Sequence, residues 1–332
     1  MKKILGLVLA LTFFASFVYA GGGSEAGGSK KEEATLKLAH IYAPTHAFSI
    51  GMKNIAAAAK EKSGGKLIIN EFPAAQLGSE TDIANGGVNG SIEMILVGCG
   101  EIGKRYTPLL IMDGPFLFSG YEHARKVLDG PIGQELWDGC LKATGLRHLR
   151  ANYYGSRNVT TKKAINSPDD LRGMKIRAPE QPMNVAIVRA MGAQPTPMAL
   201  SEVYLALQQN VVDGQENPIP TIHSQKFYEV QTHISLTKHM TQFPTLFIRD
   251  ALYQDFTPEL KKALDDAVKE VGPSIDKAVL DDEENLLSDM KSKGMTVIQP
   301  NIDAFVKATA GVYKEFEKNW GPDLYGKIQA IR

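Results

Sequence analysis

The sequence predicts an α/β protein of two domains with a cleft between them. Its 332 residues are enough for two separate hydrophobic cores. From residue 35 to residue 97, strand and helix patterns alternate with short connections, which is typical of a parallel α/β layer. A second series of strand and helix signals runs from Ile165 to Pro218. In open α/β sheets, ligands bind outside the carboxyl ends of strands, so we expect the cleft there.

The composition is that of an ordinary soluble globular protein, with 43% apolar and 22% charged residues. Lysine plus arginine and aspartate plus glutamate both number 37, so nothing indicates nucleic acid or an anionic membrane surface as a partner. The seven histidines fall in no metal-ligand spacing, and no HExxH, CxxC or GxSxG motif occurs. We therefore expect neither a metal nor a cofactor.

Residues 1–20 have the pattern of a secretory signal peptide. A basic start precedes an apolar run from Ile4 to Val18, and small residues stand at the cleavage positions up to Ala20. A membrane anchor is the alternative, but the run is shorter than the roughly twenty residues needed to span a membrane. There is no cysteine at the cleavage point, as a lipoprotein would need. We expect cleavage near Ala20, a flexible glycine-rich tether over residues 21–34, and an exported mature protein.

The two cysteines, Cys99 and Cys140, leave two alternatives open. A disulfide is possible in an oxidising compartment. Two buried free thiols are the other interpretation. Their separation does not fit a metal site.

The first layer should consist of three strands with helices between them, followed by two helices and a further strand. The predicted strands cover residues 35–41, 66–72, 91–97 and 146–154. The predicted helices follow Phe48, begin at the cap Ser79, and cover residues 121–128 and 132–144.

The segment Gly98–Gly103 matches the glycine pattern GxGxxG directly after a predicted strand. A dinucleotide site needs a helix that opens on the last glycine and holds the pyrophosphate. Here Pro108 follows within a few residues, and the motif comes after the third strand rather than the first. Dinucleotide binding is therefore not predicted.

The second series begins with a capped turn at Ser167 and a short strand from Met174 to Ala178, which Pro179 ends. A helix from Met183 to Gly192 follows, and Ser201 is expected to cap another helix. The pair Val211-Val212 is expected to form a small strand.

Two polar residues lie where these strands end. Arg177 is on the polar side of the strand before Pro179, and Asn217 comes just past Val211-Val212. The planar guanidinium of an arginine matches a carboxylate with two parallel hydrogen bonds. The alternative for Arg177 is a surface salt bridge, because most arginines are solvated.

The stretches KIRAPEQPMN, GAQPTPMALSEVYLALQQ and VDGQENP strongly resemble the DctP-type solute-binding proteins of TRAP transporters, the tripartite ATP-independent periplasmic carriers. The resemblance runs from about Thr35 to near the C-terminus. It implies a two-domain periplasmic binding protein fold with a long helix, starting at Thr257, that braces both domains. The implied boundaries are 35–154 plus about 243–282 for domain I, and 155–242 plus about 283–332 for domain II.

The resemblance also implies that the protein captures a small organic acid by domain closure and delivers it to small and large integral membrane subunits. It implies a periplasmic monomer that is not an enzyme. Arg177 would grip the carboxylate, Arg157 would contact the same region, and Asn217 would be a further contact. The remaining expected contacts are Glu180, Glu80, Leu200, Tyr42 and Gly98.

The ligand itself is less well defined by the resemblance. Sialic-acid-binding members have an asparagine, an aromatic residue and an acid where this chain has Glu180, Leu200 and Gly98, and these departures argue against sialic acid. If Glu180 and Glu80 both line a desolvated cavity, a second anionic group would be repelled. We therefore expect a sugar acid or similar polar monocarboxylate rather than succinate, malate or fumarate. The alternative is that Glu180 faces solvent.

The rival function is that of an exported enzyme, or a sensor domain, acting on a carboxylic acid. An enzyme would need a positioned acid, base or nucleophile beside the arginines. Glu80, Glu180 and Glu216 are candidates, but the sequence identifies no partner that would orient them.

Overall fold

The computed structural model describes residues 30–331. The predicted signal peptide, residues 1–20, and residues 21–29 of the predicted tether lie outside the described residues. From Lys31 onward the chain is held by backbone hydrogen bonds. The Lys31 amide donates to the carbonyl of Asp255 at 2.6 Å, and its carbonyl accepts from the amide of Thr257 at 3.0 Å. The prediction of a flexible tether up to residue 34 is therefore wrong for these last residues.

In chain order the strands are β1 (Ala34–Ala39), β2 (Leu67–Phe72), β3 (Met94–Val97), β4 (Leu146–Ala151), β5 (Gly155–Thr161), β6 (Lys175–Ala178), β7 (Gln194–Pro197), β8 (Gly214–Pro218), β9 (His233–Gln242), β10 (Thr245–Arg249) and β11 (Thr296–Ile298).

The helices are α1 (Ala47–Lys62), α2 (Glu80–Asn89), α3 (Cys99–Gly103), α4 (Tyr121–Leu128), α5 (Pro131–Thr144), α6 (Pro182–Ala190), α7 (Val203–Gln208), α8 (Ile219–Ser224), α9 (Asp250–Gln254), α10 (Pro258–Ser292), α11 (Ile302–Thr309), α12 (Gly311–Phe316) and α13 (Asp323–Gln329).

The strands form two sheets. The first has the order β2-β1-β3-β10-β4, and the second has the order β11-β9-β5-β8-β6-β7. Strand β1 pairs in parallel with both β2 and β3, which confirms the predicted parallel layer. Strand β10 runs antiparallel to its neighbours. The chain passes from the first sheet to the second between β4 and β5, and returns between β9 and β10.

Helix α10 is 35 residues long and packs against α1. The side chain of Thr257 caps it by accepting from the amide of Leu260, as its sequence predicts. One face of the helix is buried through residues at helical spacing, including Leu260, Leu264, Val268, Ile275 and Val279. The predicted long helix is thus confirmed, with Pro273 inside it.

Three predicted elements differ from the structure. Val211-Val212 is not a strand; the strand β8 comes next, from Gly214 to Pro218. Ser201 does not cap a helix with its side chain, because it lies inside a 3-10 turn at Leu200–Glu202 that leads into α7. The apolar spacing of Phe305, Ala308, Val312 and Phe316 predicts one helix from Asp303 to about Asn319, but the structure divides this segment into α11, α12 and a 3-10 turn.

Both cysteines are free and buried, which is the second of the two alternatives. The thiol of Cys99 lies 3.6 Å from the hydroxyl of Thr245. Burial raises the pKa of the Cys99 thiol above its ordinary value and that of Cys140 to about 11. Both thiols are therefore protonated and unreactive near neutral pH.

Candidate functional site: a cleft between the two sheets

A cleft with about 50 Å³ of free space is lined by residues from both sides of the molecule. All eight residues that the sequence analysis singled out line it: Arg177, Arg157, Asn217, Glu180, Glu80, Leu200, Tyr42 and Gly98. Its first-sheet side comes from the segment after β1, the start of α2 and the segment after β3. Its second-sheet side comes from β5, β6, β8 and the loops after β6 and β7.

Arg177 lies near the end of β6, two residues before Pro179, and is only 3% exposed. Its Nε and Nη2 atoms donate to the carbonyl of Met198 at 3.1 and 2.7 Å. Its Nη1 atom is buried and has no hydrogen-bond partner. Arg177 is therefore not the surface salt bridge considered above, because it is a buried cation without a direct carboxylate partner.

The electrostatics of Arg177 favour an incoming anion. Burial, followed by repulsion from Arg157, lowers the pKa of Arg177 to about 10. The guanidinium remains charged near neutral pH, but its environment makes that charge costly. A carboxylate in the cleft would offset the cost and supply the acceptor that Nη1 lacks.

Arg157, on β5, is already neutralised within the protein. Its Nε and Nη2 atoms form a bidentate ion pair with Glu216, and Nη1 donates to the side-chain oxygen of Gln242 at 2.7 Å. His239 Nε2 lies 3.1 Å from the same carboxylate. Burial alone would raise the pKa of Glu216, but the charge of Arg157 and these hydrogen bonds hold it at about 2.

Asn217 lies within β8, not just past a strand as predicted. Strand β8 runs between β5 and β6, and all five of its residues are buried. The Asn217 amide nitrogen donates to the side-chain oxygen of Gln215 at 2.5 Å. The strand was predicted at the two valines because they are apolar and β-branched. The observed strand, with the sequence GQENP, was missed because it has no alternation of apolar and polar residues.

Glu80 is the first residue of α2, which begins with a capping box between Ser79 and Asp82. One carboxylate oxygen of Glu80 accepts from the amide of Gly98 at 2.8 Å. Burial, and then the nearby carboxyl group of Glu101, raises the pKa of Glu80 to about 7. Asp113 adds to this rise, and the Gly98 amide and Lys104 oppose it. The helix start thus places at the cleft a carboxyl group that loses its proton near neutral pH.

The glycine loop Gly98–Gly103 uses its amides on the protein's own carboxylates. The Gly98 amide donates to Glu80, and the Gly100 amide donates to Asp113 at 2.9 Å. Both amides are therefore occupied by carboxylates of the protein itself. Among residues 30–331, no group of histidine, cysteine, aspartate or glutamate side chains could hold a metal ion.

Residues 38–319 match the family model described as bacterial extracellular solute-binding protein, family 7, or DctP. The chain belongs to this family. It is 33% identical over 279 residues to the sialic acid-binding periplasmic protein SiaP of Vibrio cholerae. The alignment covers 84% of this chain and 87% of SiaP. The named members are solute-binding proteins of transporters, not enzymes.

Solved structures of TRAP periplasmic solute-binding proteins share the fold of this DctP-family chain. One from Polaromonas sp JS666, bound to D-erythronate, has a TM-score of 0.86 and 33% identity, and the match covers 90% of this chain and 99% of that one. Another, from Sulfurospirillum deleyianum, has bound succinate, with a TM-score of 0.85 and 29% identity over 90% and 99% of the two chains. The two-domain binding-protein fold is thereby confirmed.

The structure separates the two glutamates that the sequence analysis placed in one desolvated cavity. Glu80 is partly buried, whereas Glu180 is exposed at the edge of the DctP-family cleft. Glu180 follows Pro179 in a loop where water can solvate its carboxylate, so the alternative in which it faces solvent is the one observed. Of these two glutamates, only Glu80 holds its carboxylate away from bulk water.

Sequence analysis missed Gln181, which directly follows Glu180. Gln181 is 4% exposed, lines the cleft, and donates from Nε2 to Glu80 Oε2 at 2.8 Å. This hydrogen bond joins the loop after β6 to the start of α2, across the cleft. The only signal in the sequence was its place as a polar residue in the loop after Pro179.

Tyr42 and Leu200 form apolar parts of the cleft wall. Tyr42 packs edge-on against Tyr154, with ring centroids 5.3 Å apart, and both tyrosines are buried. Leu200, in the 3-10 turn after β7, is 8% exposed. Such walls exclude water from the polar groups and strengthen their interactions with a ligand.

Proposed function

We propose that the cleft of this TRAP solute-binding protein binds a small polar monocarboxylic acid, with its carboxylate held by Arg177. The observation that carries the proposal is that Arg177 lines the cleft and that its Nη1 atom is buried without a hydrogen-bond partner. The other two guanidinium nitrogens are fixed by the Met198 carbonyl, so the free donor is held in place before the ligand arrives.

Arg157 contributes less directly. Its guanidinium is committed to Glu216 and Gln242, so it acts mainly as a fixed part of the cleft wall. Asn217, which is buried beside it on β8, is proposed as a further polar contact of the ligand.

The choice of a monocarboxylate rests on Glu80. Above its pKa of about 7, Glu80 is an anion that lines the same cleft as Arg177. A second carboxylate on the ligand would be repelled there, whereas a hydroxyl group would donate a hydrogen bond. The related proteins bind ligands of both kinds, D-erythronate and succinate, so they do not decide between the two classes.

Calorimetry at pH 8, where Glu80 is ionised, tests this choice. Wild type should bind a hydroxylated monocarboxylate such as erythronate about tenfold or more tightly than succinate or malate. Glu80→Gln removes the negative charge and should therefore reduce the preference for the monocarboxylate over the dicarboxylates. Glu180→Gln is the matched control, because Glu180 is exposed and its charge is solvated. Tight succinate binding by wild type, unchanged in Glu80→Gln, would contradict the proposal.

We also propose that capture occurs by closure of two domains, with boundaries at 35–154 plus about 243–282 and 155–242 plus about 283–332. The passage of the chain between the two sheets at residues 152–154 and 243–244 supports these boundaries. Ligand contacts from both sides would favour the closed state.

Export to the periplasm completes the proposal. Within residues 30–331, no helix combines the length and the apolar character needed to cross a membrane. We propose that the signal peptide is removed after Ala20 and that the protein delivers its ligand to the membrane subunits of a TRAP transporter. N-terminal sequencing of the exported protein should give Gly21 as the first residue, and a start at Met1 would contradict this. The monomeric state stays a prediction.

A further inference from the structure

The first passage of the chain between the two sheets, residues 152–154, leads directly into Gly155 at the start of β5. We propose that Gly155 is the pivot at which the second sheet turns when the ligand is captured, and that Glu283 of α10 is the positioning residue that sets its angle there. Neither residue is among those that line the cleft. The inference rests on the proposed function, since it assumes capture by domain closure.

The anchoring of α10 is the first argument. Asp276 of this helix is 1% exposed, and one oxygen of its carboxylate accepts from the backbone amide of Tyr153 at 2.7 Å. The other oxygen accepts from Arg150 Nη2 at 2.6 Å and from the hydroxyl of Tyr121 at 3.0 Å. All three donors lie on the first-sheet side of the passage, and α10 also packs against α1 on that side. The helix is therefore held firmly against the first sheet up to Asp276.

The contact between Glu283 and Gly155 is the second argument. Glu283 lies about two helical turns beyond Asp276, so both carboxylates lie on nearly the same face of α10. A β-carbon at Gly155 would be 2.5 Å from Glu283 Oε1, which is too close for any side chain. Burial raises the pKa of Glu283, and the charge of Lys238 and a hydrogen bond from the backbone of Ser156 oppose that rise. These partners hold the half-buried carboxylate against the glycine.

The backbone of Gly155 is the third argument. Its φ of 96° lies in the left-handed region, which side chains rarely adopt. The residues on either side have partners on β9: the Tyr154 amide donates to the carbonyl of Gln242 at 3.0 Å, and the hydroxyl of Ser156 lies 2.9 Å from that of Thr241. Hinges are a few residues at the ends of elements that absorb changes in φ and ψ. Gly155, at the start of β5 and without a side chain, is suited to that role.

Calorimetry with erythronate, galactonate and succinate on the full mature protein tests the pivot. Gly155→Ala should weaken the binding of each acid that wild type binds by about tenfold, because apparent affinity falls with the fraction of molecules in the binding-competent orientation. Gly145→Ala is the matched control, since Gly145 also has a left-handed φ, 71°, but a β-carbon there would lie in open space. It should cause a similar backbone strain and leave the affinities unchanged.

Variants of Glu283 test the positioning role and serve if Gly155→Ala does not fold. Glu283→Ala should weaken binding and reduce the decrease in radius of gyration that ligand causes in small-angle scattering. Glu283→Gln keeps the size of the side chain and an acceptor oxygen, so it should recover most of that loss. Glu284→Ala, at the exposed neighbouring acid, is the control. In the Glu283→Ala background, Gly155→Ala should have little further effect on affinity, because two residues that act through one contact are not additive.

Wild-type affinity in Gly155→Ala, or equal losses in Gly155→Ala and Gly145→Ala, would overturn the pivot. An effect of Gly155→Ala that is undiminished in the Glu283→Ala background would overturn the role of Glu283. If wild type binds an acid and contracts, and Gly155→Ala and Glu283→Ala do so equally well, only this inference is wrong. If folded wild type binds none of the acids and its radius of gyration does not change, the proposed function is wrong as well.

Discussion

Replacing Arg177 by lysine is expected to weaken binding of the acid by about tenfold or more. The guanidinium uses two nitrogens to hold the Met198 carbonyl, and its Nη1 atom has no hydrogen-bond partner. An ammonium group is a single point charge and cannot serve both positions. A hydrogen bond to a charged group contributes about 1.5–3 kcal/mol, and about 1.4 kcal/mol corresponds to a factor of ten in affinity. Isothermal titration calorimetry measures the change.

Two further lysine variants serve as comparisons. Arg189→Lys changes an arginine whose side chain is 56% exposed, and its affinity should equal that of wild type. Arg157→Lys should weaken ligand binding less than Arg177→Lys, because the donors of Arg157 are occupied by Glu216 and Gln242. Wild-type affinity in Arg177→Lys would remove Arg177 from the binding site.

Replacing Glu216 by alanine is expected to lower the free energy of unfolding by about 3–5 kcal/mol. The change would leave the buried guanidinium of Arg157 without its ionic partner, and removal of one member of a buried pair is costly for this reason. Urea unfolding measures the loss. Glu315→Ala is the matched control, because its ion pair with Arg189 is about half exposed and should contribute less than about 1 kcal/mol. Equal effects in the two variants would contradict the interpretation.

The same ion pair has a predicted pH dependence. The pKa of Glu216 lies at about 2, below its ordinary value of 4.5. The stabilisation from its ionised form is therefore fully present above pH 4.5 and is lost as the pH falls from there towards 2. Glu216→Gln should accordingly lose less stability than wild type between pH 4.5 and pH 2, although it is less stable near neutral pH.

The sequence predicted the parts of the fold where the hydrophobic pattern is regular. The parallel layer β1–β3 and the helix α10 each carry a clear apolar period and a recognisable cap, such as Thr257. Strand β8 could not be found in this way. It lies in the interior of the second sheet with polar side chains that are satisfied by neighbours such as Thr160, so its sequence lacks an apolar alternation.

The candidate site shows a similar limit. The resemblance and the strand ends predicted eight residues that all line the cleft. They did not predict that the two arginines differ in their hydrogen-bond partners. That difference depends on Glu216 neutralising Arg157 and on the Met198 carbonyl orienting Arg177. The hydrogen bond between Gln181 and Glu80 joins residues that are 101 positions apart in the sequence, and only folding brings them together.

Native mass spectrometry of wild type and Arg177→Lys, both purified without added ligand, tests the central claim most directly. The cleft is proposed to hold one small carboxylic acid through the free Nη1 donor of Arg177. Wild type should carry one copy of a polar monocarboxylate, which denaturation releases chemically unaltered, and folded Arg177→Lys should carry none. An equally occupied Arg177→Lys, or a bound molecule without a carboxylate, would contradict the account.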